Sequence, residues 1–236
     1  MHKTEIHPDA VRLIRMRRGG RLHVRDTLDP ARTALVVVDM QTAFLKEGLP
    51  SEVPMAREIV PNINRLAASF RAAGGTVVWV TTTFDYRIFT DWSYFLGGTA
   101  RPETARRIAE HLMAGAEGHP LWPDMDAEDG DMRAVKNRFS AFIQGSSDIE
   151  AQLRARGIDT LAITGTLTNV CCEATARDAM MRNFHVIMVA DGNATYTDAI
   201  HNASLTSMSI SFADIMTTGE VIGALTGAGA GAVAAE

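Results

Sequence analysis

Only two of the 236 residues are cysteines, and they are neighbours, Cys171 and Cys172. An adjacent pair cannot cross-link distant parts of a chain, so a disulfide framework is excluded and the composition suits a reducing cytoplasm. No window reaches the roughly 18 apolar residues that a membrane span requires, and no basic start leads into an apolar run of the secretory kind. Neither sign of charge dominates: 23 Lys and Arg against 28 Asp and Glu give a formal net charge of −5. That balance offers no electrostatic footprint for nucleic acid or acidic membrane, which leaves a small molecule as the expected partner. No Gly-x-Gly-x-x-Gly and no Walker-type lysine loop occurs, so no nucleotide cofactor is expected.

What is present is an ordinary globular composition, 46% hydrophobic and 22% charged, in a chain long enough to form one large core. Residues 1–30 read as a basic arm, with Arg12, Arg15, Arg17, Arg18, Arg21 and Arg25. Such a run is expected to be a solvated arm that packs on the domain or on a neighbouring subunit. Residues 31–227 read as one domain, and 228–236 as a flexible Gly/Ala tail.

Within the domain, short β-branched runs alternate with helical stretches. Strands are expected at 34–38, 76–82, 132–135, 160–164, 185–189 and 215–217. Helices are expected at 61–73, 101–114, after a capping box formed by Ser147 and Glu150, and at 170–182, 198–212 and 218–225. Strands separated by helices imply parallel crossovers, so the fold class is α/β: a doubly wound, mostly parallel six-stranded sheet with helices on both faces. In such sheets reactive groups gather beyond the carboxyl ends of the strands.

Three strand ends carry chemistry. Asp39 directly follows the first strand, where a partly desolvated carboxylate can exchange a proton near neutrality. Lys136 follows the third strand; by itself it reads as a surface charge. Cys171 lies in a glycine-started turn from strand to helix, where the helix dipole favours a thiolate, whereas Cys172 is turned about 100° away and reads as core packing. A thiol, a carboxylate and an ammonium at one sheet edge are the parts of nucleophilic acyl transfer.

At these residues the chain resembles the isochorismatase-like cysteine hydrolases. Three blocks carry the likeness: Ala-Leu-Val-Val-Val-Asp39-Met-Gln, Lys136-Asn ahead of Arg-Phe-Ser-Ala-Phe, and Thr-Gly-Thr-Leu-Thr-Asn-Val-Cys171 followed by Glu-Ala-Thr-Ala-Arg-Asp-Ala. The resemblance implies Asp39, Lys136 and Cys171 as a catalytic triad. It also implies a non-proline cis peptide at Thr166–Leu167 and an oxyanion hole from the backbone amides of Leu167 and Cys171. The implied reaction is hydrolysis of a C–N bond in a small amide or ureido/carbamoyl substrate through a thioester, with ureidoacrylate-type hydrolases the closest likeness. Metal-dependent relatives place an Asp and two His after the second strand; here the segment reads Thr-Thr-Thr-Phe84-Asp85-Tyr86-Arg87, and no metal is expected. An isochorismatase-type vinyl-ether hydrolase and a non-catalytic binding protein on the same fold stay open as alternatives.

Candidate substrate-binding residues are Phe44 and Gln41 near Asp39, Phe139 near Lys136, Asn169 in the cysteine turn, and Tyr86 and Trp92 in the aromatic segment 84–95. That segment reads equally as a pocket wall or as a subunit interface. Arg87 and Arg138 are candidate partners for a substrate carboxylate, and a homodimer or homotetramer is the expected assembly.

Overall fold

Thr33–Val38 contains three consecutive valines and no charge, and all six residues are buried in strand β1. β-Branched side chains suit a strand covered on both faces, because their restricted χ1 angles cost little there. The computed structural model describes residues 1–98 and 100–227. Around β1 it places β2 (Thr76–Thr82), β3 (Met132–Lys136), β4 (Thr160–Thr166), β5 (His185–Ala194) and β6 (Asp214–Met216). The strand order is β3-β2-β1-β4-β5-β6, and every pairing is parallel.

The helices are α1 (Pro8–Arg17), α2 (Thr42–Leu45), α3 (Pro54–Ala72), α4 (Ile88–Asp91), α5 (Ser93–Gly98), α6 (Pro102–His111), α7 (Ile149–Ala155), α8 (Glu173–Met181), α9 (Asp198–Ser211) and α10 (Thr218–Thr226). Alternation along the strands divides the core in two. Leu35, Val37, Val77 and Trp79 share one cluster with residues of α3, α6 and α10. Ala34, Val36, Val38, Val78 and Val80 share the other with residues of α7, α8 and α9. The sheet is therefore covered on both faces, as the sequence pattern predicts. Among the described residues no helix is long and apolar enough to cross a membrane.

Two local expectations are corrected. Helix α3 begins at Pro54 rather than Pro61, and Pro61 lies inside it; on the exposed side of the helix its missing amide removes one intrahelical bond without breaking the packed face. The box expected at Ser147 and Glu150 does not form: α7 starts at Ile149 with no side-chain cap, and the Ser147 hydroxyl instead accepts from the Ile149 amide at 3.3 Å. A complete capping box is found at Thr217 and Glu220 of α10. The basic arm packs on the domain, one of the two placements expected for it. It contains α1, Arg18 pairs with Asp214, whose side chain is fully buried, and the His2 side chain is almost fully enclosed. The Gly/Ala tail lies outside the described residues.

Candidate active site

The chain reverses its order across the sheet between β1 and β4, and in open α/β sheets the crevice beyond such a switch point is where ligands bind. Asp39 follows β1 and Cys171 follows β4, so both stand at that crevice. Asp39 takes φ 55°, a left-handed conformation that turns the chain out of the strand while its amide still donates to the Val80 carbonyl at 2.9 Å. The Thr166 hydroxyl donates to the Asp39 carbonyl at 3.1 Å, tying the ends of β1 and β4 together.

Lys136 ends β3, whose residues alternate buried and exposed. The register that puts Met132 and Ala134 into the core puts Lys136 there too, fully buried. Its surface reading from the isolated sequence is overturned by that period of two. Lys136 Nζ lies 2.8 Å from Asp39 Oδ2 and donates to the Arg138 carbonyl at 3.1 Å. Between the two charges stands Thr82, the last residue of β2. It is the partner of Lys136 in the strand register. Its hydroxyl accepts from Nζ at 2.6 Å and donates to Asp39 Oδ1 at 2.9 Å, and its amide donates to the same oxygen at 3.1 Å. The sequence reading missed Thr82; a pair of threonines closing a strand with an apolar middle was the available signal.

Cys171 sits in a π-helical turn, Thr168–Cys172, that precedes α8. The Thr166–Leu167 peptide before it is cis. The Leu167 carbonyl accepts from the amides of Val170 and Cys172, each at 3.1 Å, on either side of the Cys171 amide. Gly165 permits the approach: it has φ +115°, and a Cβ there would lie 2.0 Å from the Val38 carbonyl oxygen. The Cys171 thiol meets both Asp39 and Lys136, so three groups 35 and 97 residues apart in sequence converge on one point. Cys172 is fully buried, with its sulfur 3.8 Å from the Thr164 carbonyl oxygen, away from that point.

The electrostatics differ from the sequence expectation of a preformed thiolate. Burial pushes the Cys171 thiol well above its ordinary range, Lys136 pulls it down and Asp39 pushes it further up, with the upward effects prevailing. For Lys136, burial opposes the charge, but Asp39 and Cys171 outweigh it and the ammonium is held above its ordinary range. The resting arrangement is a neutral thiol beside a buried ion pair.

The remaining candidates are placed as follows. The Gln41 amide is fully buried and bound to backbone. It donates to the carbonyls of Thr82 at 3.0 Å and His119 at 2.7 Å and accepts from the Thr82 amide at 2.8 Å, so it braces the end of β2. Phe44 is buried in the α3-side core. Asn169 accepts from the Thr195 hydroxyl at 2.6 Å. Phe139 stands edge-on to Trp92, 4.8 Å between ring centroids, and Trp92 stacks on Phe95 at 4.9 Å. Tyr86 is 78% exposed. A cleft of about 380 Å³ is lined by Thr83, Phe84, Asp85, Arg87, Asn137 and Arg138, among others, of which Thr83 and Asn137 directly follow Thr82 and Lys136 in sequence; neither the triad nor the six expected substrate contacts are among its lining residues. Arg87 is paired with Asp85. The Arg138 guanidinium donates to the Asn137 carbonyl at 2.8 Å and lies over the Trp92 ring, with no carboxylate partner among the described residues.

Fold and site together define an α/β protein of the isochorismatase-like hydrolase class. The Isochorismatase domain model matches residues 33–220, and the chain belongs to that family. It is 32% identical over 203 residues to the ureidoacrylate amidohydrolase RutB of Methylobacterium radiotolerans, covering 78% of this chain and 76% of that protein. Among solved structures it is similar to a cysteine hydrolase from Pseudomonas syringae pv. phaseolicola, with TM-score 0.75 and 29% identity over 85% of this chain and 95% of that one. It is also similar to N-carbamoylsarcosine amidase from Thermoplasma acidophilum, with TM-score 0.61 and 26% identity over 79% and 96% of the two chains.

Proposed function

We propose that this protein is a cysteine-dependent amidohydrolase that cleaves a C–N bond of a small amide or ureido/carbamoyl substrate through a thioester acyl-enzyme. The observation that carries the reading is the fully buried Lys136–Asp39 ion pair, 2.8 Å apart, in contact with the Cys171 thiol. A buried ion pair is a poor source of stability compared with apolar packing, which favours a chemical role for it. The names of the ureidoacrylate and carbamoylsarcosine relatives point to the same bond type.

In this mechanism Asp39 accepts the thiol proton as sulfur attacks the carbonyl carbon, and Lys136 keeps the carboxylate in place. The tetrahedral oxyanion is received by the amides of Leu167 and Cys171, donors of a kind worth about 2.7 to 4 kcal/mol of barrier each. Asp39 then returns the proton to the departing nitrogen, the C–N bond breaks and a thioester remains. A water that loses its proton to Asp39 hydrolyses the thioester, and that proton restores the thiol as sulfur departs.

The test is incubation with a panel of ureido acids, primary carboxamides and lactams, followed by intact-mass measurement. A substrate-sized adduct on the wild type that is absent from Cys171→Ala is the expected result. Cys171→Ala should abolish turnover and Cys172→Ala should mostly spare it; equal loss in both counts against the assignment.

A further inference from the structure

The family domain begins at residue 33, yet a side chain from far upstream reaches the back of the cysteine turn. The His2 ring is enclosed, its side chain 1% exposed, with Nδ1 2.7 Å from Asp198 Oδ1. A carboxylate only accepts, so Nδ1 carries hydrogen, and Nε2 lies 3.1 Å from both the carbonyl oxygen and the amide nitrogen of Thr195. The ring stacks on His201, 4.5 Å between centroids and 19° from parallel. His201 Nδ1 in turn lies 2.9 Å from the hydroxyl of buried Thr168, the first residue of the π-helical turn. A second branch runs through Thr195, whose hydroxyl holds Asn169 of the same turn at 2.6 Å. Both branches end between Leu167 and Cys171, the two residues whose amides the proposed reaction uses.

We propose that His2 is a positioning residue for the cysteine turn, acting from outside the isochorismatase domain through His201 on Thr168 and through Thr195 on Asn169. The role rests on the reading of Cys171 as nucleophile. The turn needs such support because its own ladder is irregular: a π-helical turn follows a strand whose pairing with β5 shifts register at Ile163/Gly165. A stacked, doubly hydrogen-bonded imidazole fixes direction as well as distance, which an aliphatic side chain of similar volume does not. The alignment of attacking atom and amide donors is sensitive to displacements of about 1 Å.

The experiment compares wild type, His2→Ala and His2→Gln as full chains, with folding confirmed by circular dichroism. Two quantities are read: amide hydrogen exchange across residues 167–172, and kcat and KM on the substrate found in the panel above. Expected for His2→Ala are faster exchange confined to that turn and its neighbours at 195–201, and a kcat reduced roughly three- to tenfold, the effect of one ordinary hydrogen bond, at unchanged KM. His2→Gln, which can still accept from the Thr195 amide, should recover part of the kcat. A folded His2→Ala with wild-type exchange at the turn, or with wild-type kcat, overturns the proposal. If His2→Ala does not fold, Thr195→Val cuts one branch at its last link and must lower kcat in the same way; wild-type kcat there overturns it equally. If no panel compound is turned over, the reading of function has failed, and the exchange result alone decides whether His2 holds the turn.

Discussion

A thiol enclosed beside a carboxylate has every reason to keep its proton, and Cys171 does so because desolvation and Asp39 together exceed the pull of Lys136. The consequence is testable without a substrate. Alkylation by iodoacetamide proceeds through the thiolate, so a raised thiol gives a Cys171 rate that climbs with pH and has no plateau at 9.0, the ordinary thiol midpoint. Peptide mapping of the reaction across that range checks it, and an inflection below about pH 8 contradicts it. Arg138 is the other residue whose state makes a forecast. Its guanidinium lines the cleft with backbone and amide oxygens for company and no ion-pair partner among the described residues, so it is available to an anionic group. Arg138→Ala should raise KM for ureido acids by roughly tenfold or more while leaving KM for neutral carboxamides within about twofold; an equal effect on both would mean that Arg138 only shapes the wall. Of these residues, Asp39 and Cys171 were legible in the sequence because each directly follows a recognisable strand or turn. Thr82 was not, because its importance lies in standing between two strands whose order no local pattern reveals. The protonation state of Cys171 was not legible either, since it depends on burial and on partners 35 and 132 positions away.

At the level of elements, the strands were readable and the turns between them were not. β2 matches its expected range, and β4 and β5 run past theirs to Thr166 and Ala194, because these extensions are built of small and polar residues that carry no apolar run, and hydrogen bonds help to hold them. Asn193, for example, donates to the Ile163 and Val189 carbonyls at 2.8 Å each. The short helices α2, α4 and α5 went unnoticed because four to six residues are too few to show a helical period. The end of β4 is the element on which the site turns, and it depends on one missing methyl group. Because a Cβ at Gly165 would lie 2.0 Å from the Val38 carbonyl oxygen, in a backbone conformation that L side chains rarely adopt, strands β1 and β4 can approach there only with glycine. Gly165→Ala should therefore cost about 3 kcal/mol or more in urea unfolding and displace the turn that carries Cys171. Gly48→Ala is the control: it too has positive φ, but nothing lies within 4 Å of its Cβ position, so only the backbone cost of about 1 to 2 kcal/mol applies. Equal losses in the two variants would show that the close approach of β1 and β4 is not what Gly165 provides.

Across the whole molecule, two of the contacts between the arm and the domain put ionisable groups inside. Asp214 receives Arg18 and the Val24 amide on the far edge of the sheet, and His2 and His201 stack beneath the cysteine turn. Basic composition marked the arm as distinct, but not where it goes, because docking depends on single buried partners rather than on net charge. The second contact makes folding sensitive to pH. Burial and then the neighbouring His2 lower His201 from 6.5 to about 4, against weaker opposing effects of the Ala190 carbonyl and Asp198. Between those two values the unfolded chain binds a proton that the folded chain refuses. Stability from this group is thus complete above about pH 6.5 and is lost as pH falls toward 4, by up to about 3 kcal/mol. Other acids contribute to acid unfolding as well, so the informative quantity is a difference of slopes. Urea unfolding of wild type and His201→Gln should give the variant a lower stability at pH 7 but a smaller further loss by about pH 4.5, because glutamine has no proton to gain. Parallel curves would mean that His201 takes up its proton in the folded state as readily as in the unfolded chain, and that the stacked pair under the cysteine turn is not closed to charge.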